Sequence, residues 1–270
     1  MIIADVTAGS STAAIAFEGV EKDFDGRPAV EDLDLLVGPG ELFGLIGPNG
    51  AGKTTTIKMA VGLLRPSRGH VLVGGYDIQR QGTQARRRLG YVPDQAPLYD
   101  KLTGLEMLEL ASDLHQISRE RRERRIPALL AALDLEEAAG QLVQSYSRGM
   151  RQKLALCAAL MHDPQVLFLD EPTVGLDPQA ARQLKVLLQT LCVTGHTVFL
   201  STHALEIAAT LCDRVGIFNR GRLVAVGTVA ELERAAGAPS GRPGALEQAF
   251  MSVTGAPDQE TSALISALGA

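Results

Sequence analysis

Two short stretches carry side chains that could handle a nucleoside triphosphate. The first is Gly47-Pro48-Asn49-Gly50-Ala51-Gly52-Lys53-Thr54-Thr55. Its Gly-x-x-x-x-Gly-Lys-Thr spacing is that of a phosphate-binding loop. Glycines let backbone N–H groups approach phosphate oxygens, and a following helix adds partial positive charge at its N-terminus. Lys53 can then reach the β- and γ-phosphates, and the Thr54 hydroxyl suits Mg²⁺. The second stretch is Val166-Leu167-Phe168-Leu169-Asp170-Glu171. Four apolar residues read as a buried strand with two carboxylates at its C-terminal end, where open α/β sheets bind ligands. Asp170 suits Mg²⁺, directly or through water, and Glu171 suits the polarisation of an attacking water. Alone, the two acids would read as a solvated strand end; a phosphate-binding loop in the same chain favours the functional reading.

These residues need elements to hold them. Leu42–Ile46 reads as a buried strand leading into the loop, and a helix should run from Lys53 to about Leu64, ended by Pro66 and Gly69. Further strand-like runs lie at 33–37, 71–73, 89–92, 198–200, 215–218 and 223–226. From about 95 to 162 the apolar spacing is helical, at Leu105, Leu108 and the run 128–133. Strands alternating with helices predict an α/β fold with a mostly parallel sheet, and the 95–162 block reads as an inserted helical subdomain. The expected organisation is a flexible leader over 1–14, a nucleotide-binding domain over 15–235, and a linker with a short helical tail over 236–270. Within that tail, Leu246–Val253 and Ala263–Leu268 are helical candidates, preceded by the Gly-, Pro- and Ser-rich stretch 237–244.

A third stretch, Tyr146-Ser147-Arg148-Gly149-Met150-Arg151-Gln152, resembles the signature motif of ATP-binding-cassette (ABC) ATPases, usually Leu-Ser-Gly-Gly-Gln. Tyr146, Arg148 and Met150 depart from the commonest form; Ser147 and Gly149 are kept. Physically, Ser147 is a good helix N-cap and hydroxyl donor, Gly149 permits close backbone approach, and a helix over Met150–Met161 would point its positive end at an anion. Gly175-Leu176-Asp177-Pro178 resembles the family's D-loop, which implies that Asp177 faces a partner subunit; the same residues also fit the N-cap of a Pro-started helix. His203 in Leu200-Ser201-Thr202-His203 matches the switch histidine that contacts the γ-phosphate, although a lone histidine is more often structural. Phe24 lies where the family has an aromatic that stacks on adenine; core packing is the other reading. One position departs. Tyr91-Val92-Pro93 leads to Asp94, where the family usually has the Q-loop glutamine, and Gln95 follows. Either Asp94 takes that place, as a Mg²⁺ ligand that stands back until a dimer closes, or a one-residue shift lets Gln95 do so. The register set by Tyr91-Val92-Pro93 favours Asp94.

The resemblance covers about residues 15–235. It implies a P-loop NTPase fold of the ABC-cassette type, with a mostly parallel core, an N-terminal antiparallel β subdomain and an inserted α-helical subdomain. It implies ATP and Mg²⁺ as cofactors and catalytic roles for Lys53, Glu171 and His203. Two subunits, expected as a homodimer, would close head to tail so that Ser147 and Gly149 of one complete the ATP site of the other. The wording of the signature and the Leu-Ser-Thr-His switch look most like the ATPase subunits of ABC-2-type exporters, including drug-efflux systems. An integral membrane subunit would then be a partner, met near Asp94 and the helical insert at the cytoplasmic face of the membrane.

Composition narrows the alternatives. The 270 residues are 46% apolar and 21% charged, as in a soluble globular protein, which excludes collagen-like and fully disordered classes. A net charge of −5 argues against a general nucleic-acid footprint. Arg86-Arg87-Arg88 and the arginines of 119–125 are basic, but Glu120 and Glu123 interleave the second run as on a solvated helix face. No run approaches the roughly 18 consecutive apolar residues of a membrane span, and no basic residue precedes Lys22, so neither a transmembrane helix nor a secretory signal is expected. Cys157, Cys192 and Cys212 are widely spaced and read as buried free thiols. Two rivals fit less well: a soluble ABC ATPase acting on ribosomes or DNA, which usually carries two cassettes or a long coiled-coil insert, and an ATP-binding scaffold with little turnover, against which Glu171 and His203 argue.

Overall fold

The computed structural model describes residues 13–237 and 244–255. Most of the expected leader, the centre of the expected linker and the candidate helix 263–268 lie outside the described residues. In chain order the elements are β1 (Ile15–Phe24), β2 (Arg27–Val37), β3 (Leu42–Ile46), α1 (Lys53–Ala60), β4 (Arg68–Val73), β5 (Tyr76–Asp77), α2 (Gly82–Arg86) and β6 (Leu89–Val92). There follow α3 (Gly104–Leu114), α4 (Arg119–Ala132), a short 3₁₀ turn (Val143–Ser145), α5 (Arg148–Leu160), β7 (Val166–Asp170), α6 (Pro178–Val193) and β8 (Thr197–Thr202). The chain continues through α7 (Leu205–Leu211), β9 (Arg214–Asn219), β10 (Arg222–Gly227), α8 (Val229–Ala235) and α9 (Ala245–Thr254).

Two sheets result. An antiparallel one has the order β2-β1-β4-β5; a six-stranded one has the order β10-β9-β3-β8-β7-β6 and is parallel except for its edge strand β10. Because the central strands are buried on both faces, they read as continuous apolar runs. The pleat then sorts their side chains. Val166 and Phe168 of β7 and Phe199 of β8 face the core shared with the antiparallel sheet. Leu167 and Leu169, with Val198 and Leu200, face the core shared with α3, α4 and α5. Phe199 is the hub of the first core, with ring centroids 5.3 Å from Phe43, 5.5 Å from Phe168 and 6.0 Å from Phe17. The pairing Ile46↔Thr202 and Asp170↔Ser201 brings the C-terminal ends of β3, β7 and β8 to one edge. That edge is where the loops after β3, β7 and β8 emerge.

Some boundaries differ from expectation. The helix after the glycine loop ends at Ala60 instead of about Leu64, because Gly62 takes φ +75° and closes a Schellman motif, with Gly62 N–H donating to Met59 O and Leu63 N–H to Lys58 O. The helix expected over Met150–Met161 begins at Arg148. The strand expected over 33–37 extends back to Arg27, and β1 pairs along most of it. The thiols are free, but only Cys157 is buried; Cys192 and Cys212 are half-buried. No helix among the described residues is long and apolar enough to cross a membrane.

Between the helical insert and β6 runs an open groove of about 370 Å³, walled by Leu89, Tyr91, Pro97, Leu98, Met107 and Leu114 among others. In its wall the rings of His115 and His162 stack in parallel, 3.8 Å apart. His162 Nε2–H donates to Leu89 O at 2.9 Å, while its buried Nδ1 has no hydrogen-bond partner among the described residues. Burial, then His115 beside it, holds the His162 pKa down at about 4, with Arg125 adding to the effect and Asp163 opposing it. His115 is also lowered by burial.

The unfolded chain therefore takes up protons between pH 6.5 and about 4 that the folded chain refuses, so stability present above pH 6.5 is lost as pH falls through that window. The thermal midpoint of the wild type should fall across that range, and His162→Phe, which keeps an aromatic ring without the titration, should flatten the fall. Equal slopes for the two proteins in melts at stepped pH would contradict this account.

Candidate functional site

The loop Gly47–Gly52 leaves β3 and turns directly into α1. Two of its glycines are required by close approach. A Cβ on Gly47 would lie 2.2 Å from Phe218 O, and one on Gly52, where φ is +111°, would lie 2.5 Å from Ala29 O. Both neighbours are backbone and cannot yield. Gly50 differs: its φ is +78°, but open space surrounds it. The loop is pinned from outside by Gly221 N–H, which donates to Ala51 O at 2.9 Å, and from inside by Ala51 N–H, which donates to Pro48 O at 3.2 Å. Pro48, Asn49 and Gly50 are exposed along its crest.

Lys53 opens α1 and is only 6% exposed. Its Nζ donates to Gly47 O at 2.6 Å and Pro48 O at 3.2 Å, and lies 3.7 Å from Glu171 Oε1. Burial lowers its pKa, while the charges of Glu171 and Asp170 pull the other way. Thr54 Oγ1 donates to Asp170 Oδ1 at 3.2 Å; Thr55 beside it is half-buried, and Thr56 turns inward to Gly52 O at 3.0 Å. Asp170 is 3% exposed, and the same Oδ1 accepts from Ser201 Oγ. A buried carboxylate held by two hydroxyls and no ammonium or guanidinium contact among the described residues is a hard-oxygen donor set of the kind that suits Mg²⁺.

Glu171 follows β7 with φ +50°, an uncommon backbone state for a residue with a side chain. Its N–H donates to Ser201 O at 3.0 Å. The turn sends its carboxylate between an ammonium and an imidazole: Oε1 toward Lys53 and Oε2 to His203 Nδ1 at 3.0 Å. The His203 backbone N–H also faces Oε2, at 3.4 Å. Glu171 is 15% exposed and His203 52% exposed, so the pair opens to solvent on the histidine side.

The structure thus brings Lys53, Thr54, Asp170, Glu171 and His203 together. It keeps others apart. Phe24 ends β1 with its ring 46% exposed under Lys22 Nζ, outside the hydrophobic core that Phe17 of the same strand enters. Ser147 caps α5, accepting from Met150 N–H at 3.2 Å, and Asp177 caps α6, accepting from Ala180 N–H at 2.8 Å. A Cβ on Gly149 would meet Leu176 Cδ2 at 3.5 Å and Gly175 O and Ser147 Oγ at 3.9 Å, all ordinary contacts, so nothing among the described residues demands glycine there. Among the described residues no hydrogen bond or ion pair joins Ser147, Gly149 or Asp177 to the glycine loop. Asp94 directs Oδ1 to Arg148 Nη2, 3.2 Å away, and no such contact joins it to Thr54 or Asp170. Ser201 had no assigned role in the sequence; the signal was a serine inside an apolar strand run beside the candidate histidine.

The sequence profile of the ABC transporter family matches residues 30–174. The chain belongs to the ABC transporter family. It is an ATP-binding ATPase subunit with the P-loop NTPase fold. It is 41% identical over 224 residues to a daunorubicin resistance ATP-binding protein of Streptomyces coeruleorubidus, covering 83% of this chain and 71% of that one. It is 39% identical over 221 residues to a Nod factor export ATP-binding protein of Cupriavidus metallidurans, covering 82% of this chain and 73% of that one. Among solved structures, a dimeric ATP-binding cassette in a post-hydrolysis state, bound to ADP and Pi, superposes with a TM-score of 0.73 at 26% identity, over 79% of this chain and 98% of that one.

Gly47→Ala and Gly52→Ala should each lose about 1–3 kcal/mol of stability from the enforced clash or strain, together with ATP binding. Gly50→Ala meets no neighbour and should lose only about 1–2 kcal/mol, the cost of left-handed backbone. Denaturant melts and a fluorescent-nucleotide titration of the three variants check this ordering; a Gly50 variant as damaged as the Gly47 variant would refute it.

Proposed function

We propose that this ATPase subunit powers an exporter by hydrolysing Mg²⁺-ATP between two cassettes that close head to tail. The observation that carries the reading is the Glu171 carboxylate, held between Lys53 Nζ at 3.7 Å and His203 Nδ1 at 3.0 Å, one residue from the Thr54–Asp170 pair.

The chain's own groups have distinct tasks in this reading. The phosphates of ATP take over the Lys53 ammonium from Gly47 O and Pro48 O, and the N–H groups of the loop and of Thr54 and Thr55 cradle them. Phe24, exposed at the end of β1, stacks on the base. Thr54 Oγ1 and Asp170 would hold Mg²⁺, which would neutralise phosphate charge. Glu171 accepts a hydrogen bond from the attacking water and orients it in line with the γ-phosphoryl. His203 keeps the Glu171 carboxylate in place and then presents its ring to the γ-phosphate. Asp94, paired here with Arg148, stands back from the Thr54–Asp170 pair and would reach the metal only on closure.

Ser147 and Gly149 lie exposed or half-exposed at the start of α5, with the helix dipole behind them. They contribute to the ATP of the facing subunit, with Asp177 beside them. A second copy of this chain is the proposed partner cassette. The apolar groove between the helical insert and β6 is the proposed seat of an integral membrane subunit, which would hold the chain at the cytoplasmic face of the membrane. Export is supported by the names of the relatives, one a resistance protein and the other an export protein. We take 15–235 as the ATPase unit.

Glu171→Gln should keep ATP binding while hydrolysis falls by about 10²–10⁴, the range for a positioned general base. Trapped ATP should then hold a dimer on size-exclusion chromatography; an active, monomeric variant would sink the role. Lys53→Ala should instead weaken ATP binding itself, because it removes the cation facing the phosphates. Titration calorimetry giving wild-type affinity for that variant would contradict the assignment.

A further inference from the structure

The two departures of this chain from the usual motifs, Asp94 and Arg148, face each other. Arg148 is the first residue of α5, directly after its cap Ser147. A cation there opposes the helix dipole, so the position has no helix-stabilising reason to be basic. Its side chain runs across Gly175: a Cβ on that glycine would lie 2.6 Å from Arg148 Cδ and 2.8 Å from Nε. Gly175 has φ +81°, and the absence of a side chain there leaves the arginine its path. The guanidinium ends at Asp94, with Nη2 donating to Oδ1 at 3.2 Å.

A second arginine repeats the arrangement one turn further on. Arg151 Nη1 donates to Asp100 Oδ1 at 2.7 Å and to Val143 O at 3.2 Å. The first turn of α5 therefore grips both ends of the segment 94–100. Between those ends, Ala96, Pro97, Leu98 and Tyr99 wall the groove, as does Pro93 just before them. One segment is thus shared between the groove and the turn that bears Ser147 and Gly149.

We propose that Arg148 is a positioning residue that couples this groove-lining segment, through Asp94, to the Ser147–Gly149 turn and to the Gly175–Leu176 loop beside it. Movement of the segment when the groove is filled shifts the guanidinium, and with it the presentation of Ser147 and Gly149 to the facing ATP. Arg151 and Asp100 are the fixed end of the clamp, and Asp94 and Arg148 the movable one. The bonding fits this division: Arg151, 30% exposed, holds both Asp100 at 2.7 Å and Val143 O at 3.2 Å, although Asp100 is itself 58% exposed, whereas Arg148, 59% exposed, has a single bond at 3.2 Å to Asp94, 43% exposed. An exposed pair biases an equilibrium by no more than about fivefold, so it can be broken and remade in each cycle. The functional half of this inference rests on the head-to-tail reading above; the mechanical half does not.

The test uses the full chain in two measurements. Hydrogen exchange of the nucleotide-free protein reads the clamp itself. Arg148→Ala and Asp94→Asn should each speed exchange at residues 94–99 by up to about fivefold, and Arg148→Ala should do the same at 175–176. Unchanged exchange in both variants overturns the proposal. The second measurement, in the Glu171→Gln background, is the ATP concentration that drives dimer formation. Each single variant should raise it about two- to fivefold while the affinity of the monomer for a fluorescent nucleotide stays level. The double variant should be no worse than either single one, since the two residues act through one contact. The exchanged pair Asp94→Arg/Arg148→Asp should recover most of the loss. Additive losses, or a charge-exchanged chain that fails while Asp94→Asn is silent, would mean that Arg148 meets the facing nucleotide directly, and would overturn the coupling. If the Glu171→Gln chain alone forms no ATP-driven dimer, the head-to-tail reading fails, and the exchange data still decide the clamp.

Discussion

A buried ammonium must be surrounded by oxygen, and the architecture of this site follows from that need. Lys53 is 6% exposed, and its three donors meet two loop carbonyls and one carboxylate. The carbonyls are available only because the chain doubles back between Gly47 and Gly52, under Phe218 and Ala29. The carboxylate is available only because β7 ends at the same edge of the sheet as β3, one strand away across β8. Burial lowers the pKa of the lysine while the acids oppose it. An anion with several oxygens, placed among the same donors, relieves a desolvation that the protein's own groups offset in part.

The same economy of contacts governs the second layer. Ser201 lies on β8, opposite Asp170 in register, and serves two neighbours. Its hydroxyl donates to Asp170, and its carbonyl accepts from Glu171 N–H. The left-handed turn at Glu171 is held by that backbone bond and by the contact of Oε2 with His203. Strain of this kind persists where surrounding structure over-determines it. One strand therefore orients both acids, and His203 follows directly at its end.

The elements legible in the sequence were those whose burial leaves a mark. Leu42–Ile46 and Val166–Leu169 are unbroken apolar runs because both faces of a central parallel strand are covered. The elements that were obscure carry mixed patterns. β1 has one face toward the core and register shifts at Val20 and Lys22, so neither strict alternation nor a run marks it. The early end of α1 depended on Gly62, a lone glycine ahead of the more obvious Pro66. For the site, the glycine loop, the paired acids and the histidine stood out by residue type and order. What could not be read is any contact between distant segments that lacks a motif. Ser201 with Asp170 is one case, and Arg148 with Asp94 is another.

The contrast between those two contacts has a physical meaning. Asp170 is 3% exposed, so its partners Ser201 and Thr54 are needed to satisfy a buried charge, and breaking them is costly. Asp94 and Arg148 are each more than two-fifths exposed, and water can replace either one. The strong contacts lie at the end of the parallel sheet, where the donors that face phosphate must not move. The weak ones lie between the first turn of α5 and the segment that walls the groove, the two parts of the chain that move relative to one another in the proposed coupling. A single rigid core could bind ATP, but it could not report the state of a groove to a helix start. On the proposed coupling, dividing the polar contacts into a buried set and an exposed set would let one fold hold the nucleotide firmly while its signature turn remains adjustable.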